Sequence, residues 1–423
     1  MRLPSLIGGP AANRRPATLA VAVLLALLVG AGLLAQPAAA LSPQRTKREL
    51  AKWMAHAGAA SGALVVDMGT GEPVYARRSA RTRMPASVEK LYTTSTALLH
   101  LGAEHQLTTE ALAVGPVGLD GTLDGDLYLR GGGDPTLTTA GLRVMARALV
   151  AETGLSRVTG RVIGDDTAFD GLRGVPSAGF RVSVDVEPLG ALMVDRGRTG
   201  KANPYYQADP ARWAATAFAK ALRQAGVSVR RTGRRGTTPP GALALAVRRS
   251  PDVGTLVRLA NVPSDNFIAE MLLKALGAAD GDQGTTARGA AVVQDVMDRE
   301  FGLGPQVVDG SGLSRSDRTS PSQVVDLLRQ IADRPEGETL WNSLAVMGRS
   351  GTLSTRLRAS VARDRCRGKT GTLRDVSNLA GYCTTTAGTT VAFAILMNGV
   401  YPSAARTLQD RMVSAIARFE PAN

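Results

Sequence analysis

The stretch Pro85-Ala86-Ser87-Val88-Glu89-Lys90 organises the chain, because a helical pattern of apolar residues follows it directly. That pattern predicts a helix that starts within this stretch and buries Leu91, Thr94, Ala97 and Leu98. Ser87 and Lys90 are three residues apart, so their side chains share one face of the helix. A serine hydroxyl becomes a nucleophile when a base takes its proton, and a buried, neutral lysine can be that base. An isolated Ser-x-x-Lys pair is common by chance, so the pair indicates little by itself.

Two further motifs make the Ser87–Lys90 pair more specific evidence for a catalytic site. Ser264-Asp265-Asn266 lies 177 positions after Ser87, and Lys369-Thr370-Gly371-Thr372 lies 105 positions after Ser264. These three motifs in this order are typical of penicillin-binding proteins and class A β-lactamases. Taken singly, Ser264-Asp265-Asn266 is more often the cap of a helix than a proton relay, and the lysine motif is more often the end of a strand. Their order and their combination therefore predict an acyl-serine enzyme.

Residues 1–40 have the organisation of an export signal. Arg2, Arg14 and Arg15 occur without any acidic residue, an apolar run occupies about 17–34, and Ala38-Ala39-Ala40 follows. This order predicts a signal peptide that is cut after Ala40. The apolar run is close to the length of a membrane span, so an uncleaved membrane anchor is the competing interpretation. In either case we expect the rest of the chain to work outside the cytoplasm, secreted into the cell wall or the periplasm.

The chain is strongly basic. Without the three arginines of residues 1–40, 47 basic residues face 36 acidic ones, a net charge of +11. The sequence contains no basic stretch interleaved with aromatic residues, so we expect no nucleic-acid partner. A surface suited to an anionic cell wall is the simpler interpretation. His56, His100 and His105 show no ligand spacing with the cysteines, so we predict no metal site and no other cofactor.

Two cysteines, Cys366 and Cys383, are present. Export to an oxidising compartment favours a disulfide between them. Cys366 precedes Lys369, and Cys383 lies in the following apolar strand pattern. If the two strands form a hairpin that turns at Arg374-Asp375, the cysteines lie opposite each other. We therefore predict a cross-strand disulfide beside Lys369.

The pattern of elements divides the chain into a discontinuous domain and an insertion. Strand patterns occur near both ends, at about 61–75 and 366–397, and predict one sheet assembled from both ends of the chain. After Glu110, short alternating runs rich in glycine and aspartate begin, and a basic Gly/Pro stretch at 230–240 looks like an exposed connection. We predict that residues 41–108 and 242–423 form one domain and that 109–241 form an inserted α+β domain.

The chain resembles the D-alanyl-D-alanine carboxypeptidases/endopeptidases of the penicillin-binding protein 4 type, class C low-molecular-mass proteins of peptidase family S13. Beyond the three motifs and the long gap between the first two, the resemblance rests on Ser264–Glu270, Asp309–Arg315, Gly348–Leu353 and Leu379–Tyr382. It implies an α/β (α+β) fold, namely a serine β-lactamase/DD-peptidase-like transpeptidase domain with an antiparallel sheet flanked by helices. The inserted domain then lies between the first and second motifs.

The resemblance also implies roles for the motif residues. Ser87 would be the acylated nucleophile and Lys90 its general base. Ser264 would pass the proton to the leaving D-alanine, and Asn266 would bind the substrate amide.

The third motif would bind the end of the substrate. Lys369 and Thr370 would hold the terminal carboxylate, with Gly371 in the same substrate-binding strand. The backbone N–H groups of Ser87 and Thr372 would form the oxyanion hole.

Two further substrate-binding residues follow from the resemblance. Arg315 and Asp165 match family residues that read the free end of the peptide's diaminopimelate. The plainer interpretations place Arg315 in a glycine turn and Asp165 at a strand end.

The predicted function is a peptidoglycan DD-peptidase that acts through an acyl-serine intermediate. It would cleave D-Ala-D-Ala termini as a carboxypeptidase, D-Ala–diaminopimelate cross-links as an endopeptidase, or both. Its partners would be peptidoglycan stem peptides and β-lactam antibiotics, which would acylate Ser87. A β-lactamase or esterase on the same fold is the alternative, although the nearest match to the class A deacylating motif, Glu338–Asn342, has Trp341 in place of leucine. A non-catalytic wall-binding protein is the third possibility, and the presence of every reactive side chain disfavours it.

Overall fold

The structure is a computed structural model that describes residues 39–200, 205–279, 281 and 283–422. Residues 1–38, which carry most of the predicted signal peptide or anchor, lie outside the described residues. Within the described part of the chain, no helix combines the length and the apolar character that a membrane span requires.

The described residues form fourteen strands and ten α-helices. The strands are β1 (Gly62–Asp67), β2 (Pro73–Arg77), β3 (Gln106–Ala113), β4 (Thr122–Leu123), β5 (Leu127–Gly131), β6 (Arg157–Val158), β7 (Val162–Asp165), β8 (Ser228–Val229), β9 (Arg234–Arg235), β10 (Leu243–Asp252), β11 (Ala345–Val346), β12 (Cys366–Leu373), β13 (Val376–Thr384) and β14 (Thr390–Asn398). The α-helices are α1 (Pro43–Ala55), α2 (Lys90–His100), α3 (Thr139–Thr153), α4 (Pro210–Gln224), α5 (Val253–Asn261), α6 (Asn266–Ala278), α7 (Thr286–Phe301), α8 (Pro321–Ala332), α9 (Gly337–Asn342) and α10 (Pro402–Ile416). A 3₁₀ turn, Ala86–Glu89, leads directly into α2.

The central sheet has the strand order β11-β12-β13-β14-β1-β2, and every neighbouring pair is antiparallel. It joins strands from both ends of the chain, as the sequence predicted. Successive side chains of a strand point to opposite faces of the sheet, so the side chains of β14 pack in two separate cores. Phe393 and Ile395 pack in the cluster that includes α1 and α10, whereas Ala394 and Leu396 pack in the cluster that includes α2 and α5 to α8. Because both faces are covered, the strand reads as a continuous apolar run.

A second sheet has the order β10-β3-β5-β7-β9, and α3 and α4 share its apolar core. Its strands β3 and β10, which lie at the two boundaries of the predicted insertion, pair antiparallel. We propose that this sheet, with its helices and the small parallel sheet β4-β6-β8, is the core of the inserted domain. The stretch 230–240 is not only an exposed connection, because Arg234 and Arg235 pair with Ile163 and Gly164 as the edge strand β9. Both arginines are exposed, so backbone pairing forms this strand without an apolar signal in the sequence.

The hairpin of β12 and β13 has the register that the sequence predicted. Leu373 pairs with Val376, so the chain turns at Arg374-Asp375, and Cys366 pairs with Cys383 at the other end. The two cysteines form a disulfide and are fully buried. The predicted cross-strand disulfide on the strand that carries Lys369 is therefore confirmed.

Candidate active site

Ser87 and Lys90 lie where the 3₁₀ turn passes into α2, and their side chains meet as the spacing predicted. The Lys90 side chain is fully buried, and its Nζ lies 3.1 Å from Ser87 Oγ. The same nitrogen donates to Asn266 Oδ1 at 2.8 Å and to the carbonyl oxygen of Ser311 at 2.6 Å. An ammonium satisfies all three partners with its three N–H groups, whereas a neutral amine has a lone pair free to accept the Ser87 proton.

Lys369 links the third motif to the second. Its buried Nζ donates to Ser264 Oγ at 2.7 Å and to the carbonyl oxygen of Thr370 at 2.9 Å. Thr370 Oγ1 in turn lies 2.9 Å from Thr352 Oγ1. The three motifs, which are far apart in the chain, thus form one hydrogen-bonded cluster in which two buried amines each hold a serine hydroxyl.

The second motif has a constrained backbone. Ser264 has a φ of +64°, a left-handed conformation that is uncommon for a residue other than glycine and costs on the order of 1 kcal/mol. Asp265 caps α6, since its Oδ1 accepts a hydrogen bond from the N–H of Ile268 at 3.0 Å. The plain capping interpretation of this motif is therefore correct for Asp265, while Ser264 and Asn266 point their oxygens at the two lysines.

Two glycines allow the turn that carries Ser87 to be packed tightly. A Cβ on Gly371 would lie 2.5 Å from the carbonyl oxygen of Pro85, so only glycine lets β12 pass this close to the turn. A Cβ on Gly312 would lie 2.0 Å from the carbonyl oxygen of Ala86, and Gly312 also has a φ of +79°. The glycine of the Lys-Thr-Gly motif thus brings the third motif to the first.

Buried carboxyl groups surround Lys90 and influence its protonation. Burial lowers the pKa of Lys90 to about 8, although the nearby carboxyls of Glu89 and Glu270 oppose the shift. Burial and the neighbouring Asp309 raise the pKa of Glu270 to about 8, and the same two causes raise the pKa of Asp317 to about 9. A lysine with a pKa near 8 is partly neutral at neutral pH, which a general base requires.

Burial also lowers the pKa of Lys369 well below its usual value, and the nearby charge of Lys90 adds to the effect. Two like charges a short distance apart disfavour each other. An anionic group that enters the site would therefore stabilise the cationic form of Lys369.

Arg315 lies at the rim of the cluster. Its guanidinium donates to both carboxylate oxygens of Asp375 at 2.7 and 3.1 Å, and both side chains are largely exposed. The pair borders a cavity of about 570 Å³ that is also lined by residues between 177 and 185. Its lining residues are Ser177, Ala178, Ser183, Asp185, Leu313, Arg315, Leu373, Arg374 and Asp375. Asn266 Nδ2 donates to the carbonyl oxygen of Asp185 at 3.1 Å, so this cavity adjoins the cluster.

Asp165 lies at the end of β7 and is buried. Its Oδ1 accepts hydrogen bonds from the N–H of Thr167 at 3.0 Å and from Thr167 Oγ1 at 2.6 Å, and its Oδ2 accepts one from the N–H of Thr238 at 2.7 Å. Asp165 is not among the described residues that line the 570 Å³ cavity. These contacts are those of a strand-end residue, and the substrate-binding role of Asp165 stays a prediction.

Sequence reasoning missed Asn378 and Arg196. Asn378 Nδ2 donates to the carbonyl oxygens of Met84 at 2.9 Å and Pro85 at 2.7 Å, which ties β13 to the backbone just before Ser87. The signal in the sequence was a lone amide within an apolar strand, because a buried polar side chain needs a partner. Arg196 donates a hydrogen bond to Asp265, 69 positions later in the chain, and no motif or periodicity marks it.

Comparison with known proteins gives consistent matches. The profile of the D-Ala-D-Ala carboxypeptidase 3 (S13) family matches residues 46–208 and 200–419. The chain is 31% identical to a D-alanyl-D-alanine carboxypeptidase of Actinomadura sp. (strain R39), over 98% of this chain and 93% of that protein. It is 30% identical to Carboxypeptidase DacB of Mycolicibacterium smegmatis, over 89% of this chain and 85% of that protein. The crystal structure of penicillin binding protein 4 from Haemophilus influenzae superposes with a TM-score of 0.74 at 21% identity, covering 86% of this chain and 97% of that one, which confirms the predicted fold class.

Proposed function

The chain belongs to the D-Ala-D-Ala carboxypeptidase 3 (S13) family, and from this premise we propose that Ser87 is the hydroxyl that its substrates acylate. The predicted enzyme class, a serine-type D-Ala-D-Ala carboxypeptidase that acts on peptidoglycan, is confirmed at the level of the family. The observation that carries the assignment of Ser87 is the fully buried Lys90, whose Nζ lies 3.1 Å from Ser87 Oγ.

Acylation begins with a proton transfer from Ser87 to Lys90. The neutral amine takes the hydroxyl proton while Oγ attacks the carbonyl carbon of the penultimate D-alanine, which forms a tetrahedral oxyanion. The N–H groups of Ser87 and Thr372 stabilise that oxyanion. This assignment is supported by the 3₁₀ turn around Ser87 and by Gly371, which lets β12 lie against the turn.

Departure of the terminal D-alanine requires a proton on its nitrogen. Ser264 supplies it from its Oγ, which Lys369 holds at 2.7 Å, and the proton that Lys90 took from Ser87 then passes to the Ser264 oxygen, so that Lys90 is neutral again. Lys369 and Thr370 bind the terminal carboxylate, whose negative charge favours the cationic form of Lys369. Asn266, held by Lys90 at 2.8 Å, binds the substrate amide.

Hydrolysis of the acyl-enzyme completes the cycle. Water attacks the ester carbonyl while neutral Lys90 accepts one of its protons, and Lys90 returns this proton to Ser87 Oγ as the C–O bond breaks and the shortened peptide is released. A β-lactam presents a strained amide to the same Oγ and leaves Ser87 acylated. Slow loss of that adduct separates a peptidase from the alternative, a β-lactamase or esterase on this fold.

The rest of the stem peptide lies towards the cavity that Arg315 borders. A guanidinium binds a carboxylate with two parallel hydrogen bonds, as Arg315 does with Asp375. The carboxylate at the free end of a diaminopimelate side chain can therefore replace or share this contact, and Asp165 remains a further candidate for reading the same end.

The family is one of cell-wall peptidases, so the enzyme works outside the cytoplasm. We propose that residues 1–40 direct its export as a signal peptide, with the uncleaved anchor as the alternative.

The test of this function measures D-alanine released from a purified muropeptide that ends in D-Ala-D-Ala, and cleavage of a cross-linked muropeptide dimer. The native enzyme should release D-alanine, cleave the dimer or do both, and Ser87→Ala should do neither. Equal release by native enzyme and Ser87→Ala would contradict the assignment, as would no cleavage of either substrate by a folded native enzyme. Rapid, repeated turnover of a β-lactam would favour the β-lactamase instead.

A further inference from the structure

Arg196 connects the inserted region to the second motif. Its Nη1 donates to Asp265 Oδ2 at 2.8 Å, and its Nη2 donates to Asp265 Oδ1 at 3.0 Å. The same guanidinium donates to both oxygens of Glu187 at 3.1 Å and lies 4.5 Å from the centre of the Phe267 ring. Two bidentate pairs and a ring contact hold one side chain, which makes its geometry specific.

The contact is partly withdrawn from solvent. The side chains of Arg196, Asp265 and Glu187 are 31%, 19% and 9% exposed. Ion pairs in such positions are screened less than those on an open surface. Arg196 and the preceding Asp195 both have positive φ values, +57° and +53°. Two adjacent strained residues persist only where surrounding contacts compensate for their cost.

Asp265 is the residue through which this contact reaches the cluster. Its neighbours on either side are Ser264, bound to Lys369, and Asn266, bound to Lys90. A shift of Asp265 therefore moves both side chains relative to the two amines. A misplacement of about 1 Å near reacting groups is enough to lower a rate by roughly a hundredfold.

We propose that Arg196 is a positioning residue for acylation, acting from the inserted region through the carboxylate of Asp265 on Ser264 and Asn266. This role rests on the proposed function, since it matters only if those two side chains take part in acylation. With this role for Arg196, the inserted region contributes a residue that positions the active site. A second contact from the same region, the carbonyl oxygen of Asp185 on Asn266 Nδ2, supports this view.

Arg198 provides a matched control on the same loop. Its Nη2 forms an ion pair with Glu187 Oε1, and in the part of the chain that the structure describes it makes no ion pair with Asp265. Because Glu187 is shared, each arginine can be removed without leaving that buried carboxylate unpaired. Arg196→Met and Arg198→Met therefore both keep Glu187 paired, and they differ in whether the contacts with Asp265 and Phe267 are lost.

The experiment follows acylation of the full chain by benzylpenicillin and separates the first-order acylation constant from the dissociation constant of the preceding non-covalent complex. For Arg196→Met we expect the acylation constant to fall about tenfold to a hundredfold, with the dissociation constant close to that of Arg198→Met and with both variants folded at the assay temperature. Arg196→Lys should recover part of the rate, because lysine keeps the charge but not the two-point contact. Adding Asp265→Asn to Arg196→Met should lower the acylation constant little further, because both substitutions break the same interaction, the pair of Arg196 with Asp265.

Three results would overturn the proposal. The acylation constants of Arg196→Met and Arg198→Met could be equal, the losses from Arg196→Met and Asp265→Asn could multiply independently, or the whole loss could lie in the dissociation constant. Failure of the native enzyme to form any adduct would instead refute the proposed function on which this role rests.

Discussion

The rate of acylation should rise with pH, because the proposed base Lys90 works only in its neutral form. With a pKa of about 8, about one tenth of Lys90 is neutral at pH 7 and about nine tenths at pH 9. The second-order rate constant for acylation by benzylpenicillin should therefore increase about tenfold between these pH values. Rapid quenching followed by intact-mass measurement gives this constant directly.

Replacement of Glu270 tests whether Lys90 or Lys369 controls the rise of the acylation rate with pH. Glu270 favours the cationic form of Lys90, so Glu270→Gln should lower the pKa of Lys90 and move the midpoint of the profile to lower pH. Glutamine can still accept the hydrogen bond that the N–H of Ser311 donates at 2.9 Å, so the local structure should persist. Glu270 can act on Lys369 only through the charge of Lys90, which lowers the pKa of Lys369, so a profile that reflects Lys369 should not move to lower pH.

Either of two outcomes would refute this reasoning. A rate constant that is independent of pH between 6 and 9.5 would show that Lys90 does not titrate in this range as the base. A midpoint that does not move to lower pH in Glu270→Gln would show that Lys90 is not the group whose titration sets the profile. The unfolding temperature of each protein at each pH serves as the control for loss of structure.

Two further changes test the packing around the cluster. Gly312→Ala should lower the acylation rate at least about tenfold, because its Cβ would lie 2.0 Å from the carbonyl oxygen of Ala86 and push on the turn that carries Ser87. A Cβ on Gly304 would have no atom of another part of the chain within 4 Å, so Gly304→Ala should leave the acylation rate unchanged. Equal rates in Gly312→Ala and Gly304→Ala would contradict the argument. Replacing Cys366 and Cys383 together by alanine opens a bridge between residues 17 positions apart and should lower the free energy of unfolding by about 3 kcal/mol. Denaturant unfolding measures this loss, and an unchanged midpoint would show that the hairpin needs no covalent link.

The parts of the site that the sequence predicted follow from local geometry. Ser87 and Lys90 meet because a helical turn puts residues three apart on one face, and Cys366 meets Cys383 because a hairpin turning at Arg374-Asp375 leaves one register. The order of the motifs then indicates which distant segments meet. The hydrogen bonds between Lys369 and Ser264 and between Lys90 and Asn266 show that they do.

The parts that sequence reasoning missed depend on contacts between segments without a periodic pattern. The strand Arg234–Arg235 forms through backbone pairing at a sheet edge, where exposed arginines give no apolar alternation. Arg196 reaches Asp265 across 69 positions of sequence from a loop. In both cases the chain is held by tertiary partners, and the local residues carry no signal for them.

The central claim is that Ser87 is the acylated residue, and intact-mass measurement after incubation with benzylpenicillin tests it most directly. The native enzyme should gain the mass of one benzylpenicillin, peptide mapping should place it on Ser87, and a folded Ser87→Ala should gain none. An adduct of equal yield on Ser87→Ala, or no adduct on the folded native enzyme, would contradict the account.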